Sequence, residues 1–205
     1  YFTELTNTIQ EIAKRIETSV NINFEFMDIG GGIGVPYEPH EKHLNIQSIG
    51  NSVETAFKHS AKLMIEPGKF IVAESGTLLT TVTTVKNNFI GVDAGMSTLI
   101  RPALYGAYHP IILANNTNAE YIKEANIVGP ICENTDAFAK NRAMPTVKEN
   151  DILAIQVVGA YGFCMSSSYN GILRPAEVLV DGNEHKLIRK KEDIEVLMSN
   201  VHKSI

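Results

Sequence analysis

The feature that most constrains this chain is a change of pattern near Gly76. Before it, Phe2, Leu5, Ile9, Ile12 and Ile16 recur every three or four positions, which is one face of an amphipathic helix. Phe24 to Ile29 reads as a short buried strand that ends in Gly30-Gly31-Gly32. Ile46, Ile49, Val53 and Phe57 mark a second helix, and Leu63-Met64-Ile65 a second strand that stops at Glu66-Pro67-Gly68. Strand, glycine turn, helix, strand is a βαβ unit, with a right-handed crossover expected. After Gly76 the helical spacing gives way to strand-forming runs at 78–85, 89–92, 120–128, 151–158 and 177–180, with turns at Lys86-Asn87-Asn88 and Asp181-Gly182-Asn183. Glu192 to Val201 reads as a short closing helix. The expected fold class is α/β plus β: an α/β portion over 1–76, then a mainly antiparallel β-sheet domain over 77–205.

Two parallel strands cannot cover both faces of a sheet, which parallel strands normally require. A complete (β/α)8 barrel takes about 250 residues. Residues 1–76 are therefore expected to be the last part of a barrel whose beginning lies outside the sequence. An exposed parallel edge and an uncovered apolar face predict that this portion needs a partner, while the β domain is well ordered.

The net charge of -5 argues against a general nucleic-acid or anionic-membrane surface. Nothing at the start resembles a signal peptide, and no run approaches the roughly 18 to 20 apolar residues that span a bilayer. Two cysteines, Cys132 and Cys164, make no disulfide framework, and reduced thiols in a cytoplasm are the simpler expectation.

Several segments carry candidate chemistry. The glycines at 30–32 and 34 follow a strand, where backbone N–H groups can approach an anion closely, although such a cluster also serves as a simple tight turn. Glu66-Pro67-Gly68-Lys69 supplies glycine and a cation at the end of the next strand, and barrel phosphate sites favour the turns after the last strands. Glu66 reads equally as an acid, a base, a partner for a protonated ring nitrogen, or a salt-bridged carboxylate. Arg101 to Tyr105 offers a guanidinium suited to carboxylates, yet taken alone the pentapeptide reads as a surface or interface loop. Cys132-Glu133 sits in a turn-like setting, and a lone cysteine is more often a small buried hydrophobe. The stretches 159–162 and 166–170 read as β-domain turns. Glu38, His40, Glu41 and His43 imitate a metal cluster but lack the i, i+4 histidine spacing of a helical zinc site, so no metal is expected.

Taken in order, MDIGGGIG (27–34), EPGKFIVAESG (66–76), VDAGMSTLIRPALYGAYHPI (92–111), VGPICENTDAFA (128–139) and VVGAYGFCMSSSYNGILRPAEVLVDG (157–182) resemble the diaminopimelate decarboxylases of the alanine-racemase-like pyridoxal-phosphate enzymes. The resemblance covers nearly the whole chain. It implies a (β/α)8 barrel that binds pyridoxal 5'-phosphate, a following β domain, and a homodimer with active sites at the subunit interface. By resemblance, Gly31, Gly32 and Gly68 would hold the cofactor phosphate, with Tyr161 closing over it beside the substrate. Glu66 would keep the pyridine nitrogen protonated, so that the ring remains an electron sink. Arg101 and Tyr105 would bind a substrate carboxylate. Cys132 would donate a proton to the carbanionic centre and Glu133 would face the distal amino group, both across the dimer interface.

Two departures follow from the same comparison. Lys69 stands where the family usually has an arginine, which keeps the charge and loses the bidentate fork. The family's Schiff-base lysine and ring-stacking histidine belong to earlier barrel strands, so the chain is expected to be inactive without an N-terminal half. The competing expectations are a related decarboxylase acting on ornithine, arginine or carboxynorspermidine, and a non-catalytic remnant that binds a partner.

Overall fold

The structure is a computed structural model that describes residues 1–201; residues 202–205, the end of the expected 77–205 domain, lie outside the described residues. The chain divides into two compact units, Tyr1–Val72 and the unit that begins at Ala73.

In the first unit, helix α1 (Phe2–Val20) precedes strand β1 (Phe26–Asp28), helix α2 (Ile46–Ala56), strand β2 (Lys62–Met64) and the short helix α3 (Gly68–Val72). Helix α1 ends at Asn21, which takes the left-handed conformation at φ 54° and donates its N–H to the Glu17 carbonyl. Asn45 caps α2 by accepting the Ser48 N–H at 2.9 Å. Strands β1 and β2 pair in parallel, with Met27 opposite Leu63. Buried Ala13, Met27 and Ala61 form the local core, with Ile9, Phe24 and Phe57 against it. The buried line of α1 thus runs through Thr6 and Ala13. Ile12 and Ile16, expected on the inward face, are exposed, because the small core around Met27 and Ala61 takes up Ile9 and Ala13 from the helix and extends no further.

The second unit opens with a 3-10 turn (Ala73–Ser75) and contains strands β3 (Thr77–Lys86), β4 (Phe89–Val92), β5 (Ile111–Leu113), β6 (Lys123–Val128), β7 (Ala137–Met144) and β8 (Ile152–Gln156), with helix α4 (Arg101–Tyr105) between β4 and β5. These six strands form one sheet in the order β5-β8-β3-β4-β6-β7. Every pairing is antiparallel except β4 with β6, so the sheet is mixed. Asn87, at φ 56°, makes the two-residue turn between β3 and β4. Val82, Ile90, Val92, Leu99, Ile127, Met144, Leu153 and Ile155 lead the core. Strands β9 (Glu177–Asp181) and β10 (Glu184–Arg189) form a separate hairpin around Gly182 at φ 58°, and helix α5 (Ile194–Met198) follows, capped by Asp193. No described helix is long and apolar enough to cross a membrane.

Candidate functional site

In the first unit, the turns after β1 and β2 are laced together. Gly30 donates its N–H to Asp28 Oδ1 at 2.7 Å and accepts the Glu66 N–H at 2.8 Å. Gly30 and Gly32 have φ values of 70° and 85°, which strongly favour glycine. Gly31 is required for a different reason: a Cβ there would sit 2.5 Å from the Glu66 carbonyl oxygen. The N–H groups of Gly31 and Gly32 meet no acceptor among the described residues. Two neighbouring amide donors in a cradle with no side chain are what a phosphate group requires, so the residues present fit that group. Glu66 ends this turn with an exposed side chain, its carbonyl accepting the Gly68 N–H at 2.8 Å, and half-buried Lys69 lies one residue beyond Gly68.

The second unit carries the remaining candidates. Arg101 is not on a loop. It begins α4, which Gly106 closes at φ 62°, and only 9% of its surface is exposed. Burial of a guanidinium demands polar partners, and Arg101 Nη1 lies 3.1 Å from His109 Nε2. His109 is wholly buried, with Nδ1 2.9 Å from the Gln156 carbonyl oxygen. Arg142, on β7, donates to the His109 carbonyl at 2.9 Å and stacks over the Tyr108 ring at 3.6 Å. Burial, and then the Arg101 and Arg142 charges, push the His109 pKa below its ordinary value against the lift of the Gln156 bond. Tyr105, on the same helix, is exposed.

Cys132 is exposed rather than buried, as is Glu133. The reason lies in Asp136, whose buried carboxylate accepts N–H groups from Met96 at 2.6 Å and Ile131 at 2.7 Å and so turns the intervening residues outward. Gly129 and Gly95 abut the same carboxylate; a Cβ at Gly129 would come within 2.3 Å of it. Ser167 donates its N–H to the Ser97 carbonyl at 2.8 Å, tying the 166–170 run to the same loop. From that run Tyr169 donates to Glu133 Oε1 at 2.6 Å, and this bond, then the Glu133 charge, pushes the phenol above its ordinary pKa. Tyr161 is exposed at φ 61°, and buried Val157 has φ 59°. Positive φ in a β-branched residue is rare and costly, and such strain gathers at working sites. The turn is held against it by backbone bonds from Val158 N–H to the Gly76 carbonyl at 3.0 Å and from Gly159 N–H to the Ala73 carbonyl at 2.9 Å.

His109, Asp136 and Tyr169 were not legible as contributors. His109 and Asp136 lie inside the motifs quoted for the resemblance, but burial and partners are what distinguish them from their neighbours. At the apparent metal cluster, His40 Nδ1 lies 3.7 Å from Glu38 Oε2 and Glu41 accepts the Tyr37 and Glu38 N–H groups. No group of three or more His, Cys, Asp or Glu able to hold a metal occurs among the described residues.

Residues 24–159 match the family described as pyridoxal-dependent decarboxylase, C-terminal sheet domain. The chain is 40% identical over 202 residues to a diaminopimelate decarboxylase of Methanothermobacter thermautotrophicus, covering 93% of this chain and 47% of that protein. It is 43% identical over 187 residues to one from Neisseria meningitidis serogroup B, covering 87% and 44%. A crystal structure of diaminopimelate decarboxylase from Helicobacter pylori complexed with L-lysine superposes with a TM-score of 0.86 at 37% identity, over 97% of this chain and 50% of that one. The chain therefore spans about half the length of the curated relatives it matches. With the match running through both the glycine turn and the strands of the mixed sheet, the chain belongs to the pyridoxal-dependent decarboxylase family.

Proposed function

We propose that this chain forms the C-terminal part of a diaminopimelate decarboxylase that converts meso-2,6-diaminopimelate to L-lysine and carbon dioxide. The observation that carries this reading is the 40% identity to the Methanothermobacter enzyme over 93% of the chain, a span that takes in residues of both units. The β1–β2 pair belongs to the last part of the (β/α)8 barrel. Exposed Phe26 and Met64 on these strands support this, since parallel strands are normally covered on both faces. The Schiff-base lysine lies in the remaining half of the length that the relatives have.

Pyridoxal phosphate, when bound, supplies an electron sink for the carbanion that decarboxylation leaves. The protein's own groups do the rest. Gly31 and Gly32 donate N–H groups to the phosphate, the turn around Gly68 lies against it, and Tyr161 covers it. Glu66 holds a proton on the pyridine nitrogen. Arg101 and Tyr105 bind the substrate carboxylate, Glu133 faces the distal amino group, and Cys132 delivers a proton from Sγ to the substrate α-carbon. The last two act across a homodimer interface, which suits a turn whose buried Asp136 holds Cys132 and Glu133 out into solvent. Reduced, exposed Cys132 and Cys164 fit a cytoplasmic setting.

The test is carbon dioxide release from meso-diaminopimelate with added pyridoxal phosphate, with and without a separately supplied N-terminal half. Release only when both are present is expected. Release from this chain alone would overturn the assignment of the lysine, and silence from a complex shown to associate would move the substrate to another amino acid. In the complete enzyme, Lys69→Arg is expected to lower KM by restoring the bidentate fork; unchanged KM and turnover would remove Lys69 from the site.

A further inference from the structure

We propose that His109 is a positioning residue for substrate binding: neutral, with its proton on Nδ1, it presents an Nε2 lone pair that aims the Arg101 guanidinium at the substrate carboxylate. The inference rests on the reading of Arg101 given above. Its protonation state is read from the two groups that face the ring nitrogens. The Gln156 carbonyl only accepts, so Nδ1 at 2.9 Å carries a hydrogen. The guanidinium only donates, so Nε2 at 3.1 Å carries a lone pair. A protonated ring would set N–H against N–H. Burial and the Arg101 and Arg142 charges favour the same neutral form.

The ring is not needed merely to hold its own segment. Gln156 donates its N–H to the Pro110 carbonyl at 2.9 Å, and Arg142 donates to the His109 carbonyl. The segment is thus stitched to β8 and β7 through its backbone, whatever the side chain. Burying an imidazole there carries a desolvation cost, and the imidazole places an acceptor 3.1 Å from the Arg101 guanidinium. The orientation matters because a guanidinium binds a carboxylate best as a planar fork, and a rotated fork loses one of its two bonds.

The test uses the full-length decarboxylase. Arg101→Lys is expected to raise KM for diaminopimelate; if it does not, the reading of Arg101 falls and the inference with it. Given that rise, His109→Asn keeps a donor for the Gln156 carbonyl and loses the Nε2 acceptor, so KM should rise about tenfold with kcat nearly unchanged. His109→Gln places an amide oxygen near the Nε2 position and should recover most of the loss. In the Arg101→Lys background, His109→Asn should add nothing. A purely structural histidine predicts the reverse order, Asn tolerated better than Gln, and that result would overturn the inference while leaving Arg101 in place. Imidazole 15N shifts of the unmutated enzyme give a check that no folding defect can obscure: a neutral ring with hydrogen on Nδ1 is expected, and hydrogen on Nε2, or a cationic ring, overturns the inference.

Discussion

Asp136 accepts two backbone N–H groups from loops that lie 40 and 5 residues away in sequence, and Gly95 and Gly129 abut its carboxylate. Replacing it with asparagine turns one acceptor into a donor that faces another N–H. The expected cost is about 2 kcal/mol in denaturant unfolding, the usual scale for an unsatisfied buried group. Gly129→Ala should be worse, because its Cβ would overlap the carboxylate; an alanine variant as stable as the parent would contradict the close approach. Tyr169→Phe tests the other side of the same loop. With the 2.6 Å bond to Glu133 gone, KM should rise a few-fold while kcat holds, and unchanged KM would mean that Glu133 needs no such tether. The buried histidine makes a separate, pH-dependent prediction. Its folded pKa lies below that of the unfolded chain, so between the unfolded value near 6.5 and the lower folded value the unfolded state takes up the proton first. Stability contributed by neutral His109 is complete above that window and falls with acidification, by up to about 1.4 kcal/mol per pH unit. Melting temperatures at pH 7.5 and 5.5 should therefore converge in His109→Gln relative to the parent. Equal drops in both proteins would show that His109 is not the group responsible.

Elements were legible where periodicity and turn chemistry agree. Helix α2 and strand β4 lie where their spacing puts them, and the Asn87 and Gly182 turns join paired strands. Strand β8 ends two residues early because Val157 adopts φ 59°, and no propensity scale anticipates a β-branched residue there. Strands β5, β7 and β10 were missed for three different reasons. Ile111–Leu113 is too short to show alternation. Ala137–Met144 has Ala, Lys, Asn or Arg at six of its eight positions, residues that favour helix or turn, yet it pairs with β6 as a strand and buries Phe138 and Met144. Glu184–Arg189 is exposed at every position, so no apolar face marks it. The candidate site divides in the same way. Glycine turns and the Cys132-Glu133 pair are picked out by residue type and motif, but the exposure of Cys132 is not, since a lone cysteine reads as a small buried hydrophobe. Arg101 could not be placed by composition, since its helix has five residues and its burial depends on a histidine eight positions away. A test at this scale is Gly106→Ala, which forces a Cβ into the left-handed end of α4 and should cost about 1 kcal/mol in stability.

For the molecule as a whole, the two units differ in how much core each builds for itself. The mixed sheet has a continuous cluster from Val82 to Ile155, gathered from six strands. The first unit has a small cluster around Ala13, Met27 and Ala61, two three-residue strands, and exposed Ile12, Ile16, Val20, Phe26 and Met64. Local opening free energy follows buried apolar contact. Amide hydrogens of β3, β4 and β8 should thus exchange slowly in this chain by itself, while those of β1 and β2 exchange within the earliest time points. Addition of the complementary half should slow β1 and β2 by orders of magnitude and leave β3 and β8 nearly unchanged, because the added strands would cover the parallel edge and not the mixed sheet. If β1 and β2 were already as protected as β8 in the isolated chain, the exposed apolar face would need no barrel to cover it. The reading of these strands as the end of a barrel would then fail, whatever the fate of the residue assignments in the sheet domain.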